Sequence, residues 1–240
     1  MTPTINTVIF DMDGTALKQI KGEEALHCDS GAWIDVWRHF FYVAGFADEC
    51  RKLTLQYQDP KTNSMTPEGH REFFQHTVGL LRGKASVPIL EQFHDLPYTP
   101  GFLSFCGYLH DNGIRTGMVT LSIDAVAQQI KREAGLEMAM GNEIHVDERG
   151  LFTGTGKINV PFGGKGEAVK RAYSSLGTSR ETTCFFGDSG NDVDCWKTVA
   201  LPLGVNPDQP YEHLVKAKFK DFYEAKEYFE RKLFEENISP

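Results

Sequence analysis

The chain has 240 residues, of which 40% are hydrophobic and 24% charged, and its formal net charge is −8. These proportions are ordinary for a globular protein, and the length suits one large domain or a core with a smaller insert. A negative chain without a long Lys/Arg cluster argues against nucleic acid as partner, and no run approaches the roughly 18 apolar residues of a membrane span.

The N-terminus and the cysteines give expectations about location. The start, MTPTINTVIF, lacks the charged residues and apolar core of a signal peptide. The cysteines are odd in number, scattered and without a C-x-x-C motif: Cys28, Cys50, Cys106, Cys184 and Cys195. We therefore expect reduced thiols in a cytoplasmic protein.

The first predicted element is a buried strand over residues 4–10, which ends at two carboxylates, Asp11 and Asp13. A charged group at the end of a buried strand costs folding free energy unless it is paired or binds a metal. Gly14 and Thr15 then interrupt the strand. This strand end is therefore a candidate site for a cation.

Between residues 18 and 96 the pattern becomes helical and aromatic. Apolar side chains recur at spacings of three and four from Trp33 to Ala44, which is typical of one face of an amphipathic helix. A second stretch around Phe73 to Leu81 predicts another helix, and residues 58–64 have the composition of a loop.

This helical segment interrupts the α/β pattern of the rest of the chain. We therefore expect an α/β core domain at 1–17 and 97–240, with a mainly α-helical cap domain inserted at 18–96. The aromatic stripe of the cap should form its core, and His70 and His76 should lie on its surface.

After residue 97, predicted strands and helices alternate. The predicted strands cover residues 115–119, 144–146, 151–153, 183–186 and 199–205, and the predicted helices cover 102–111, 122–134, 167–176 and 221–236. Residues 147–150 have the composition of a hairpin turn. The alternation predicts a mostly parallel sheet that helices cover on both faces.

In open α/β sheets, ligands bind beyond the carboxyl ends of the strands. Polar residues at or near such positions are four aspartates, one threonine and one lysine before a helix: Asp11, Asp13, Thr120, Lys165, Asp188 and Asp192. Oxygen ligands without His or Cys suit Mg²⁺. A lysine, a hydroxyl and free backbone N–H groups suit a phosphoryl group.

These motifs resemble those of haloacid dehalogenase-superfamily phosphatases. The family pattern D-x-D-G-T matches residues 11–15, the hydroxyl residue that closes an apolar strand matches Thr120, and the lysine before a helix matches Lys165. The pattern G-D-x-x-N-D matches residues 187–192, and all four motifs occur in the family's order. The resemblance implies a Rossmann-like core with a helical C1-type cap.

The resemblance also implies catalytic and metal-binding roles. Asp11 would be the nucleophile and a Mg²⁺ ligand. Asp13 would be the general acid/base, and its backbone carbonyl would be a second ligand. Asp188 would be the third protein ligand, and Asp192 would support the metal or Lys165.

Four residues would hold the phosphate by the same resemblance: Thr120, Leu121 through its backbone N–H, Lys165 and Asn191. Two of them have simpler explanations. Thr120 could cap a helix that begins at Ser122, and Asn191 could only shape its turn.

Within the family, the phosphoserine phosphatase-like subgroup fits the hairpin sequence NEIHVDERGLFTG and the spacing from Thr120 to Lys165. Members that bind phosphoserine carry a Glu after the first motif and an Arg in the cap. A gapless placement puts Ile20 and Thr77 at those positions. Charged residues nearby are Glu23, Glu24, Arg71 and Arg82.

We therefore expect a Mg²⁺-dependent phosphatase that hydrolyses a small phosphorylated metabolite through an aspartyl phosphate. Three alternatives stay open. The chain could be a phosphoserine phosphatase proper with displaced specificity residues, a phosphomutase, or a capped protein that binds phosphate without turnover. The sequence leaves the substrate and the oligomeric state open.

Overall fold

The computed structural model describes residues 4–21, 33–58 and 65–238. Glu23, Glu24 and Cys28 lie outside the described residues, and so does most of the predicted loop at 58–64.

A seven-stranded sheet forms the centre of the described fold. Its strands are β1 (Thr7–Phe10), β2 (Arg115–Ile123), β3 (Met138–Val146), β4 (Phe152–Lys157), β5 (Thr183–Gly187), β6 (Leu201–Val205) and β7 (Ala217–Phe219). They lie in the order β4-β3-β2-β1-β5-β6-β7, and β4 is antiparallel to β3 while the other neighbours are parallel. The predicted mostly parallel α/β sheet is confirmed.

The helices of the described residues are α1 (Val36–Val43), α2 (Ala47–Tyr57), α3 (Pro67–Leu80), α4 (Ser86–Leu90), α5 (Phe102–Asp111), α6 (Asp124–Ala134), α7 (Lys165–Ser175), α8 (Val193–Lys197) and α9 (Phe222–Ile238). Helices α1 to α4 follow β1 and precede α5. The division into a core and a cap domain at 18–96 stays a prediction. None of the helices in the described segments combines the length and apolarity that a bilayer span needs.

Strand β1 is buried on both faces, and its alternate residues feed two apolar clusters. Val8 and Phe10 join the larger cluster, whereas Ile9 joins a second cluster on the other face. Successive side chains of a strand point to opposite faces of the sheet, so alternate residues of β1 enter different clusters. The Phe10 ring is stacked on Phe186 at 5.5 Å and meets Phe102 edge-on at 5.3 Å.

The helices between β1 and α5 pack on the hairpin of β3 and β4. The Phe40 ring of α1 lies 5.8 Å from the Phe152 ring of β4. The Trp37 ring is 6.0 Å from both Phe73 and Phe74 of α3, so the aromatic stripe forms a core as predicted. This packing holds the segment between β1 and α5 against the edge of the sheet formed by β3 and β4.

Several local predictions differ from the structure. The strand predicted at 144–146 begins at Met138, and β7 was not predicted. The sequence pattern ends strand β2 at residue 119, but the strand continues to Ile123 through an irregularity in its pairing with β3. His70 is buried rather than on the surface, and its Nδ1 lies 3.4 Å from the backbone nitrogen of Phe162. His76 is exposed, as expected, and bonds to Tyr57.

The cysteines in the described segments agree with the expectation of reduced thiols. Cys106, Cys184 and Cys195 are buried and form no disulfide with another described residue. Burial raises the pKa of each of these thiols, so they stay protonated. A cytoplasmic location stays a prediction.

Gly156 of β4 lies at a close approach between the hairpin and the insert. A Cβ at this position would lie 2.3 Å from the Glu143 carbonyl oxygen and 2.7 Å from the Phe74 ring. We expect Gly156→Ala to lower the free energy of unfolding by roughly 1–3 kcal/mol, measured by urea denaturation.

The matched control is Gly107→Ala in α5, where an added Cβ would meet no described atom within 4 Å. Alanine favours a helix over glycine, so this control should be neutral or stabilising. If both variants unfolded at the same urea concentration, that result would contradict the close packing of Phe74 on the hairpin at Gly156.

Candidate active site

The site lies at the carboxyl edge of the central strands. Asp11 follows β1, and its backbone nitrogen donates to the Phe186 carbonyl of β5 at 2.9 Å. Asp188 follows β5 directly. Because β1 and β5 are parallel neighbours in register, the two aspartates come to the same edge.

Lys165 is the first residue of α7, and its side chain is buried between two carboxylates. Its Nζ lies 2.5 Å from Asp11 Oδ1 and 2.6 Å from Asp192 Oδ1. Burial alone would lower the pKa of Lys165, but the two carboxylates outweigh burial and raise it. The side chain is therefore a buried ammonium ion that ties β1 to the loop after β5.

Asp192 uses both carboxylate oxygens within the protein. Oδ1 accepts from Lys165, and Oδ2 accepts from the backbone nitrogens of Asp188 at 2.8 Å and Ser189 at 3.1 Å. Gly187 permits this approach, because a Cβ there would lie 2.5 Å from the Asp192 carboxyl carbon. The geometry suits a residue that positions Lys165 and Asp188.

Asp188 is fully buried, and three residues enclose its carboxylate. Thr15 Oγ1 is 3.5 Å from Oδ1, and Lys21 Nζ is 2.6 Å from Oδ2. Gly14 has a φ of 83°, and a Cβ at this residue would lie 2.2 Å from Asp188 Oδ2. Only glycine tolerates both the conformation and the contact.

Asp13 contacts the insert. Its Oδ1 accepts from the backbone nitrogen of Val36, the first residue of α1, at 2.9 Å. Asp35 caps the same helix by accepting from the backbone nitrogen of Arg38 at 2.7 Å. The Asp13 carboxyl group is thus held by the first turn of α1.

The two carboxyl groups of the first motif have different pKa values. Burial raises the pKa of Asp11 to about 6, and the adjacent Lys165 ammonium opposes the rise. Burial and the nearby Asp35 carboxylate raise the pKa of Asp13 to about 8, although the Val36 N–H opposes this. At neutral pH, Asp11 is therefore mainly ionised and Asp13 mainly protonated.

The carboxylates fit a hard divalent cation. Oxygens of Asp11, Asp188 and Asp192 all lie within 4.8 Å of one another. The donor set contains only oxygen, which Mg²⁺ prefers. In addition, Asp188 Oδ2 is buried and already faces a cation, the Lys21 ammonium at 2.6 Å. The residues present therefore match a magnesium site.

Thr120 and Leu121 lie in the irregular part of β2. Thr120 is buried, and its Oγ1 accepts from the backbone nitrogen of Ser122 at 3.1 Å. Asn191 is partly exposed in a single turn of 3-10 helix that begins after Ser189. Contact of these residues with a phosphate stays a prediction.

Asn142 of β3 is a residue that sequence reasoning missed. Its side chain is fully buried and donates to the carbonyl of Leu121 at 2.7 Å and that of Val160 at 3.2 Å. Its Oδ1 accepts from the backbone nitrogens of Asn159 and Val160. Asn142 thus joins β2 to the loop that leads to Lys165. The predicted strand begins only at residue 144, whereas β3 begins at Met138, so the sequence pattern did not place Asn142 in the sheet.

The two positions expected to grip a zwitterion are uncharged. Ile20 is partly buried and packs against Ile34. Thr77 is buried, and its hydroxyl donates to the Phe73 carbonyl at 2.7 Å within its own helix. Arg71 is exposed, with its nearest described carboxylate 3.7 Å away on Glu68.

Comparison with known proteins agrees with this architecture. The family model of haloacid dehalogenase-like hydrolases matches residues 8–197. The chain is 28% identical over 203 residues to a phosphoserine phosphatase of Archaeoglobus fulgidus. This alignment covers 83% of this chain and 52% of that protein. It is 22% identical over 200 residues to a phosphoserine phosphatase of Saccharomyces cerevisiae, covering 82% of this chain and 58% of that protein. The chain thus spans little more than half the length of these two relatives.

Solved structures show the same fold. A substrate-bound phosphoserine phosphatase complex superposes with a TM-score of 0.72 at 20% identity, covering 94% of this chain and 98% of that chain. A phospho-aspartyl intermediate analogue of phosphoserine phosphatase gives the same TM-score of 0.72 and covers 99% of that chain.

Asn142→Ala should lower the free energy of unfolding by at least about 2 kcal/mol, because it leaves buried backbone groups of Leu121 and Val160 unpaired. Urea denaturation measures the loss. The control is Asn112→Ala, whose exposed side chain makes one bond to the Tyr108 carbonyl at 2.8 Å. That change should cost less than about 1 kcal/mol. Similar losses for the two variants would show that Asn142 does not join the two segments.

Proposed function

This chain belongs to the haloacid dehalogenase-like hydrolases, and from that membership we propose that it is a phosphatase that hydrolyses a small phosphomonoester with Mg²⁺. The observation that carries the proposal is the buried Lys165 ammonium between Asp11 and Asp192, with Asp188 beside them. Burying this many charged groups close together costs folding free energy unless they bind a cation and an anion.

Asp11 is the proposed nucleophile. Its carboxylate oxygen would form a bond to phosphorus while the bond from phosphorus to the leaving oxygen breaks, which gives an aspartyl phosphate. Its pKa of about 6 supports this role, because the carboxylate form predominates at neutral pH.

Asp13 is the proposed general acid and base. Its protonated carboxyl group, with a pKa of about 8, would give its proton to the leaving oxygen. The resulting carboxylate would then accept a proton from the water that attacks the aspartyl phosphate. That attack releases inorganic phosphate and regenerates the Asp11 carboxylate and the Asp13 proton.

Three groups of this chain would hold the metal: the carboxylates of Asp11 and Asp188 and the backbone carbonyl of Asp13. When bound, Mg²⁺ supplies positive charge that orients the phosphoryl group and offsets its negative charge. Asp192 would contribute indirectly, since it already binds Lys165 and the backbone of the Asp188 loop.

The phosphate would be held by Thr120, the backbone N–H of Leu121, Lys165 and Asn191. Lys165 supports this assignment best, because its ammonium contacts the proposed nucleophile at 2.5 Å. A cation at this point would stabilise charge that develops on the phosphoryl oxygens.

The segment 18–96 is the proposed cap. Two contacts support this role: Asp13 accepts from Val36 at the start of α1, and His70 of α3 contacts Phe162 in the loop before Lys165. A segment that touches both sides of the site could close over a small substrate and exclude water during transfer.

Phosphoserine phosphatase proper is the second candidate. The names of the relatives from Archaeoglobus fulgidus and Saccharomyces cerevisiae favour it. The uncharged side chains of Ile20 and Thr77 oppose it, because a zwitterion in a closed site needs a partner for each charge.

Asp11→Asn should reduce phosphate release by at least about a thousandfold, because an amide is a poor nucleophile and a poorer metal ligand. The assay is release of p-nitrophenol and of phosphate from p-nitrophenyl phosphate with Mg²⁺, repeated after EDTA. The matched control is Asp194→Asn, an exposed aspartate whose nearest lysine nitrogen is 3.9 Å away. The control should retain activity. Equal activity of the two variants would contradict the aspartyl-phosphate mechanism.

The enzyme should not strongly prefer phosphoserine. Each missing charge-assisted contact typically costs about 1.5–3 kcal/mol, or roughly ten- to a hundredfold in kcat/KM. The measurement compares kcat/KM for phosphoserine, phosphothreonine, phosphoethanolamine, phosphocholine and small sugar phosphates. A preference for phosphoserine above about a hundredfold would overturn this expectation. Glu23, Glu24, Arg71 and Arg82 would then be the residues to mutate.

A further inference from the structure

Lys21 lies between two carboxylates at the edge of the site, and no motif pointed to it. Its Nζ is 2.6 Å from Asp188 Oδ2 and 2.7 Å from Asp208 Oδ1. Asp188 is buried, whereas the side chains of Lys21 and Asp208 keep 37% and 36% of their surface exposed. The Asp188 carboxylate is therefore closed to solvent, whereas Lys21 and Asp208 are open to it.

The two contacts of Lys21 differ in how far the carboxylate is buried. The ammonium donates a hydrogen bond to Asp208. Its contact with Asp188 Oδ2, at 2.6 Å, is with a carboxylate that is buried, whereas the side chain of Asp208 is 36% exposed. The pair with Asp188 is thus the one that a better ligand for that oxygen could replace.

Asp188 has no other cation against it among the described residues. The Gly14 backbone blocks one side of the carboxylate, and Thr15 Oγ1 faces its other oxygen. A divalent ion bound by Asp188 would meet the Lys21 ammonium at the same oxygen. Two cations on one carboxylate oxygen repel each other, and the burial of Asp188 limits how far water screens that repulsion.

We propose that Lys21 is an internal counter-cation that competes with the divalent metal for Asp188 and moves to Asp208 when the metal binds. This inference rests on the proposed function, because it takes Asp188 as a metal ligand. Asp208 makes the exchange feasible. It already binds the ammonium at 2.7 Å, and its backbone nitrogen is bonded to the Asp188 carbonyl at 2.8 Å.

The exchange also affects the start of the insert. The Ile20 backbone nitrogen donates to the Ile34 carbonyl at 3.0 Å, and the Lys18 nitrogen donates to the Pro97 carbonyl at 2.9 Å. Lys21 therefore follows a short segment that is bonded to Ile34, just before α1, and to Pro97, which follows the segment 18–96. Metal binding at Asp188 would release that segment from the site at one point.

The test measures metal binding directly, with Mn²⁺ titrated into metal-free protein by calorimetry and by electron paramagnetic resonance. Lys21→Met should bind Mn²⁺ at least about tenfold more tightly than the wild type, because the competing charge is gone. Lys21→Arg keeps the charge and should stay within about twofold of the wild type.

Lys18→Met is the matched control. Lys18 lines the same cavity as Lys21 but makes no ion pair with a described residue. It should leave Mn²⁺ affinity within about twofold of the wild type. Asp208→Asn should weaken Mn²⁺ binding more in the wild-type background than in the Lys21→Met background, because its effect passes partly through Lys21.

Thermal unfolding gives a second readout. Without metal, Lys21→Met should melt at a lower temperature than the wild type, since it leaves Asp188 buried without a cation. With saturating Mn²⁺ the difference should vanish or reverse.

The outcomes separate this inference from the function on which it rests. If the wild type binds Mn²⁺ and Lys21→Met binds it equally or more weakly, the inference fails and the metal site stands. If neither protein binds Mn²⁺, the metal site fails and the inference fails with it. If Lys21→Met binds Mn²⁺ and the wild type does not, the result would support the proposal that Lys21 competes with the metal for Asp188.

Discussion

The ion pairs of buried Lys165 are the interaction on which the rest of the site depends. Its ammonium contacts Asp11 after β1 and Asp192 after β5, and the residue itself begins α7. Removing one partner of a buried ion pair leaves an uncompensated charge, which is strongly destabilising. The same lysine therefore holds three chain segments together and opposes the burial that raises the pKa of Asp11. Lys165 therefore contributes both to the stability of the fold and to the proposed catalysis.

The insert is bound to this network rather than simply placed above it. The Val36 N–H at the start of α1 is bonded to Asp13, and the apolar cluster that contains Phe10 extends to Phe40 of the same helix. A shift of α1 would therefore change the hydrogen bonding of the proposed acid and disturb packing at the centre of the sheet. This double attachment explains why a segment remote in sequence from the later motifs could control access to the site.

The sequence predicted the parts of the site that depend on topology. Asp11 and Asp188 follow parallel strands, so their meeting at one edge required only the prediction of the sheet. Lys21 and Asn142 escaped prediction because their roles come from long-range contacts, across 167 positions to Asp188 and across 21 positions to Leu121. The extension of β2 was missed for a related reason. Its last residues pair irregularly with β3, and such pairing leaves no local pattern in the chain.

Charge balance connects the network around Lys165 with the contact of Lys21. Counted as formal charges, the four carboxylates of Asp11, Asp188, Asp192 and Asp208 and the two ammonium groups of Lys165 and Lys21 leave two negative charges. A site with that balance repels a phosphate dianion. A divalent cation at Asp188, with Lys21 held by Asp208, would make the same set of groups neutral, and Asp13 adds no charge while it is protonated. The electrostatics therefore favour an order of binding in which the metal enters first and the phosphorylated substrate follows.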